Sequence, residues 1–147
     1  MIVYEGIILS NDSIRIYDLP NARRQAMWRI SNQEKMLSRY PGVLIGRLAV
    51  ADGFGGKGIG SDVLTFVKKW FTEKNNKTAC RFAIVDAKNR KDVLNFYEKN
   101  GFKYLFPNER DEDLYSKPPK NEREKAERLS HPRKLRTRLM FRDLLTE

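Results

Sequence analysis

One cysteine, Cys80, and one histidine, His131, are all that the 147 residues hold of the side chains that dominate zinc sites. A single thiol excludes an internal disulfide and points to a reducing compartment, the cytoplasm. Without a second cysteine or histidine there is no metal-ligating spacing, and no metal is expected. Cys80 reads as a small apolar residue near a strand start. His131, beside Pro132 in a charged stretch, is not expected to act as a base. Also absent is any apolar run near the ~18 residues a membrane-spanning helix needs. The opening Met1-Ile-Val-Tyr-Glu-Gly has neither a basic region nor a long apolar stretch, so no signal peptide is expected. Acidic charge is scarce relative to basic: 19 Asp and Glu stand against 29 Lys and Arg, a net charge of +10. That excess could steer an anionic macromolecule such as RNA, or could serve only as a solubilising surface. The length suits one domain with a real core, and no internal repeat is present.

Glycine is not abundant either, but it is concentrated. Five of the nine glycines, Gly53, Gly55, Gly56, Gly58 and Gly60, fall in one short segment. The segment follows strand-forming Leu48-Ala-Val50 and opens into a helical pattern, with Ile59, Val63, Leu64, Val67, Trp70 and Phe71 on one face. Such a loop turns tightly, lets a ligand approach the backbone, and aims bare N–H groups from the positive end of a helix. A phosphorylated ligand is the chemistry it suits. The nucleotide P-loop does not fit, because Lys57 is followed by Gly58 rather than Ser or Thr. The dinucleotide fingerprint does not fit, because Gly58-Ile-Gly60 continues Ser-Asp-Val and the third glycine is missing.

A second motif lies downstream. Phe82-Ala-Ile-Val-Asp86 reads as a buried strand, Arg90 to Asn100 as a helix with Val93, Leu94, Phe96 and Tyr97 at helical spacing, and Gly101 as its stop. Phe102 to Phe106 is expected to be the next strand. Together, Gly55-Gly-Lys-Gly58-Ile-Gly60 and Asn89-x-x-x-Val-Leu-x-Phe-Tyr-x-Lys-x-Gly-Phe102 resemble the two signature motifs of the GNAT N-acetyltransferases, in the right order and spacing. The first departs from the family pattern at one position, where Gly55 stands in place of Gln or Arg. The resemblance covers about Val43 to Phe106, plus a last strand near Leu135 to Asp143. Gly46-Arg-Leu-Ala-Val50, Val85-Asp-Ala87 and Phe96-Tyr-Glu-Lys-x-Gly-Phe102 look most like the branch of toxins that acetylate aminoacyl-tRNA.

The resemblance implies an α/β fold, a mixed sheet with two splayed parallel strands flanked by helices, and acetyl-CoA in the gap as acetyl donor. Gly55, Gly56, Lys57, Gly58, Ile59, Gly60 and Ser61 would form the donor site, with N–H groups from Gly56 to Ser61 on the pyrophosphate. Leu48, Ala49 and Val50 would pair with the pantetheine arm and offer an N–H to the thioester carbonyl. Asn89 would touch the pantetheine region, and Tyr97 would protonate the leaving thiolate. An N–H aimed at the developing oxyanion and a phenol at the sulfur are the groups this chemistry needs. The bland reading of Tyr97 is an ordinary core aromatic. Asp86, Glu5 and Glu98 are the acidic groups that could relay a proton from the amine, and nothing singles one out. The acceptor would be a primary amine, with aminoacyl-tRNA the most specific choice.

Along the chain, Ile2 to Ser10 and Ser13 to Leu19 read as two strands joined by a turn at Asn11-Asp12. Pro20 to Tyr40 reads as a basic loop with a helical turn. From Leu135 to Arg142, apolar and basic residues alternate, predicting a strand with one core face and one outward basic face. Residues 108–134 form a charged insertion in the single domain 1–147, expected to be a disordered loop, with a solvated helix over Asn121 to Leu129 as the alternative. By the resemblance, a strand and two helices expected ahead of the first hairpin would be missing from this sequence. The apolar surface their absence would leave favours a homodimer. Two other functions stay open: a catalytically inactive protein that binds coenzyme A or a partner, and a basic RNA-binding module.

Overall fold

The computed structural model describes residues 5–30, 38–50, 58–73 and 80–145. Five strands form one mixed sheet in the order β1-β2-β3-β5-β4. They are β1 (Glu5–Arg15), β2 (Arg39–Val50), β3 (Phe82–Lys88), β4 (Lys103–Tyr104) and β5 (Thr137–Asp143). Only β2 and β3 run parallel; every other neighbouring pair is antiparallel. The parallel pair is joined by a crossover containing helix α2 (Ile59–Thr72), as a parallel connection requires. The other α-helices among the described residues are α1 (Asn21–Ile30), α3 (Lys91–Lys99), α4 (Glu109–Ser116) and α5 (Glu122–Ser130).

Strand β3 shows why the sheet has two cores. Phe82 and Ile84 join one buried cluster, with Met27 of α1 and Tyr115 of α4. Ala83, Val85 and Ala87 point the other way and join Leu64 of α2 and Tyr97 of α3. A strand covered on both faces reads as a continuous apolar run, which is how 82–85 looked in the sequence. Phe82 is central on its side, with Tyr40 at 5.7 Å and Phe141 at 5.8 Å, both edge-on.

Several sequence expectations are corrected. Asn11 and Asp12 do not make a turn: β1 is continuous, and these residues pair with Val43 and Gly42 of the long β2. The region after Pro20 holds a full helix, α1, whose buried Met27 anchors it although its pattern is not cleanly periodic. The strand after Gly101 shrinks to Lys103–Tyr104. Trp70 lies half exposed on α2, beside the exposed Phe66, rather than on the buried face. The basic face of the last strand is not outward. β5 is an interior strand between β3 and β4, and both its faces are covered: Phe141 lies in one cluster, Met140 in the other with Leu64 of α2 and Tyr97 of α3, and Arg138 is buried. The Arg138 charge is met by buried Glu112 at 2.6 Å and by the Phe106 carbonyl at 3.0 Å. The charged insertion is no disordered loop but two capped helices, α4 and α5.

Candidate functional site

The gap between β2 and β3 begins with a glycine. Ile8 pairs with Arg47 and Leu9 with Ile45, so Gly46 is an extra residue in β2 without a partner on β1. Such a bulge bends and twists its strand. Pairing of β2 with β3 runs from Gly42↔Phe82 to Ile45↔Val85 and, among the described residues, stops there. Both strands continue. β2 stays paired with β1 to Val50, and β3 stays paired with β5 to Lys88. The two parallel strands therefore separate at their C-terminal ends, the position where open α/β sheets bind ligands. Leu48, Ala49 and Val50 are the last β2 residues beyond the bulge, paired with Ile7, Gly6 and Glu5 on their other edge.

Helix α2 starts from Gly58, whose φ of 78° is the left-handed backbone that glycine adopts without strain. Gly58 O receives the N–H of Asp62 at 3.0 Å, so the N–H groups of Ile59, Gly60 and Ser61 precede the first intrahelical bond. Gly55, Gly56 and Lys57 lie outside the described residues. The helix start is clasped to α3. A Cβ on Gly60 would sit 3.1 Å from the Phe96 ring, so only a glycine gives this approach without displacing it. Ser61 Oγ accepts from the Asn100 amide at 3.1 Å.

Tyr97 is fixed by the end of its own helix. Gly101, at φ 84°, follows the last helical residues; its N–H bonds to Glu98 O, and the Phe102 N–H bonds to Tyr97 O, each at 3.0 Å. This is a Schellman stop, and its usual apolar contact is Tyr97 against Phe102, with rings 5.3 Å apart. Phe96 sits edge-on to Tyr97 on the other side at 5.1 Å. Tyr97 is buried, and burial raises the pKa of its phenol, which stays protonated through the neutral range.

Asn89 terminates β3 at the mouth of the gap. Its amide is engaged with the Leu135 carbonyl at 2.9 Å and Glu109 Oε1 at 3.2 Å. Glu109, one helical turn before Glu112 on α4, has no sequence signal linking it to Asn89; only the docking of α4 brings them together. Asp86 and Glu98 are both exposed. The Glu5 side chain lies outside the described residues. His131 is exposed at the end of α5, its Nδ1 2.9 Å from Ser130 Oγ. Among the described residues no cluster of His, Cys, Asp or Glu suits a metal ion, and no helix is long and apolar enough to cross a membrane. A cavity of about 440 Å³ between Leu19, Phe106, Tyr115 and Pro119 shares no residue with the gap and lies on the α1 and α4 face.

No curated protein matches this sequence. Solved structures do match in fold. One is a bacterial toxin, 16% identical over 95% of this chain and 59% of that chain, with a TM-score of 0.60. Another is AtaT complexed with acetyl-methionyl-tRNAfMet, 20% identical over 71% of this chain and 58% of that one, with a TM-score of 0.55. This sequence thus spans less than two thirds of either neighbour's length. The family model of the acetyltransferase (GNAT) domain matches residues 14–104, more than half of the sequence and all of the splayed pair with α2 and α3: the chain belongs to the GNAT family.

Proposed function

We propose that this protein is an acetyl-CoA-dependent N-acetyltransferase. It transfers an acetyl group to a primary amine by direct attack in a ternary complex, and the amine is that of an aminoacyl-tRNA. The observation that carries the reading is the early end of β2–β3 pairing. Two strands that run on after parting leave backbone N–H and C=O groups facing a gap. An extended polyamide such as the pantetheine arm satisfies them as an added strand would.

The remaining parts fit around that arm. The N–H groups of Ile59, Gly60 and Ser61, at the positive end of α2, suit the pyrophosphate. A backbone N–H among Leu48, Ala49 and Val50 meets the thioester oxygen as it becomes an oxyanion. The Tyr97 hydroxyl, kept protonated by burial, gives its proton to the departing sulfur. No side chain is assigned as base, since an exposed amine can lose its proton to water. For the acceptor, support comes from the net charge of +10 and from the complex of AtaT, a neighbour in fold, with acetyl-methionyl-tRNA.

Calorimetric titration with acetyl-CoA tests the donor half, and the expected result is saturable binding of one donor per chain. Labelled acetyl transfer to a panel of aminoacyl-tRNAs and small amines tests the acceptor half. Absence of binding at millimolar acetyl-CoA would remove the enzyme reading. Transfer to small amines but to no aminoacyl-tRNA would remove only the acceptor.

A further inference from the structure

The hydrogen bonds of Asn89 define what it can offer a ligand. Its backbone N–H donates to Arg136 O at 2.9 Å, continuing the β3–β5 ladder past Lys88. Its side-chain nitrogen donates to Leu135 O at 2.9 Å and to Glu109 Oε1 at 3.2 Å. A carbonyl and a carboxylate only accept, so the amide has one orientation; exchanging its oxygen and nitrogen would set oxygen against oxygen twice. The nitrogen has two protons and both are used. Among the described residues, Oδ1 accepts no hydrogen bond.

Glu109 and the Leu135 carbonyl impose this arrangement together. The second Glu109 oxygen, Oε2, accepts the Leu135 N–H at 2.7 Å, so one carboxylate grips both Asn89 and the backbone leading into β5. Arg138 Nη1 lies 3.9 Å from Oε1, and the first turn of α4 favours a negative charge. The Leu135 N–H, first among these, holds the Glu109 carboxyl below its ordinary value, so it is a carboxylate at neutral pH.

We infer that Glu109 is a positioning residue for the acyl-donor site: it holds Asn89 so that only the carbonyl oxygen is free, and Asn89 therefore takes an amide N–H of the pantetheine arm and cannot donate to that arm's carbonyls. The inference rests on the acetyl-CoA reading. It gives the charged segment between β4 and β5 a part in donor recognition, although none of its residues belongs to the glycine loop or to the Asn-to-Phe motif.

Glu109→Gln is the test. A glutamine there meets two N–H donors, from Asn89 and Leu135, with one acceptor, so one of the two bonds is lost. The probes are acetyl-CoA and two analogues in which one or the other pantetheine amide N–H is replaced by an ester oxygen. Wild type should bind acetyl-CoA about tenfold more tightly than one of the analogues, the loss of one hydrogen bond to an oriented acceptor. Glu109→Gln should bind acetyl-CoA about tenfold more weakly than wild type and lose its preference over that analogue, with kcat at saturating donor within about twofold. A purely structural role would lower the melting temperature and leave that preference intact.

Wild type that binds acetyl-CoA and both analogues equally would overturn the inference and leave the acetyl-CoA reading standing. Glu109→Gln that discriminates as wild type does would do the same. Wild type that binds no acetyl-CoA would overturn both, a different result from binding without discrimination. Glu109→Asp keeps the charge but falls one carbon short of Asn89, and serves as a second variant with the same expected loss. If neither variant folds, Glu109 is structural and the positioning role is rejected.

Discussion

At the scale of single residues, Tyr97 and Gly58 make separable predictions. Tyr97→Phe removes only a hydroxyl, since the ring contacts with Phe96 and Phe102 and the Schellman bond from Phe102 use other atoms. The variant should keep the wild-type melting temperature and acetyl-CoA affinity, while kcat falls by about a hundredfold or more, the usual scale for losing a placed general acid. Unchanged turnover would return Tyr97 to the role of a core aromatic. Gly58→Ala acts through the backbone alone, because nothing lies within 4 Å of where its Cβ would sit. Holding alanine at a left-handed φ costs about 1 kcal/mol. Chemical denaturation should show that loss, and acetyl-CoA binding should weaken if the helix start holds the pyrophosphate. The stop at Gly101 and the start near Gly58 were both legible in the sequence, because a glycine beside a periodic apolar pattern has few other uses. The partners of Asn89 were not, because Glu109 and Leu135 reach it only through tertiary docking.

At the scale of elements, the hairpin of α4 and α5 and the interior strand β5 mark where sequence reasoning stopped short. The capping signals of the hairpin were present. Asn108 accepts the Asp111 N–H at 3.0 Å and Asn121 the Glu124 N–H at 2.8 Å, the side-chain N-cap that asparagine provides. Charge density concealed them, since such a composition usually cannot bury enough to fold. Here the charges are spent on each other. Arg128 of α5 donates to the Asp113 and Lys117 carbonyls at 2.9 and 2.7 Å, which closes the end of α4, and pairs with the Asp113 carboxylate at 3.0 Å. For β5, the alternation correctly told which residues share a face. It could not tell that the second face would be covered as well, with Met140 in the cluster of Leu64 and Tyr97 and Arg138 tied to Glu112 of α4.

The hairpin has a predicted response to acid. Burial would raise Asp113, but Arg128 and Arg133 outweigh it and hold the carboxyl below its ordinary value. The Leu135 N–H holds Glu109 down as well. A carboxyl lowered by folding adds stability above its unfolded value, about 4, and that stability is lost as pH falls through the folded value. Glu112 runs the opposite way: burial pushes it up, so its share is present below the unfolded value and lost as pH rises through the folded one. Loss of the Asp113 and Glu109 contributions predicts loosening of the hairpin contacts they make below about pH 4. Hydrogen exchange should show amides of 109–130 losing protection before those of β3. Asp113→Asn should cost the hairpin about 2 kcal/mol at neutral pH and make its protection less dependent on acid. Protection lost uniformly across sheet and hairpin would mean that the hairpin is no separate unit.

At the scale of the whole molecule, the net charge of +10 already counts each ion pair as zero, so the excess is carried by the remaining cations. Arg15 is paired with Asp18, Arg81 with Asp143 and Arg138 with Glu112, while Arg142 donates to the Asn100 carbonyl. Exposed cations are spread over the described residues, among them Arg29, Arg39, Lys69, Lys88, Lys91, Lys99 and Lys103; Lys117, Lys120, Arg123, Lys125, Lys134 and Arg136 form one group of them, in the segment that forms the hairpin and leads into β5. If an aminoacyl-tRNA is the acceptor, its phosphates must draw on such groups, and each phosphate contact releases counterions. With about four contacts, raising salt from about 50 to about 200 mM should weaken tRNA binding by about a hundredfold. Acetyl-CoA, if held as proposed through backbone N–H groups and apolar contacts as well as charge, should lose much less over the same range. Measuring both dissociation constants in parallel separates the two sites. Replacing Lys117, Lys120, Arg123 and Lys125 together with Gln should flatten the salt dependence for tRNA while leaving acetyl-CoA binding as it was. A slope that survives those four substitutions would place the RNA surface elsewhere, and tRNA binding indifferent to salt would argue against the acceptor itself.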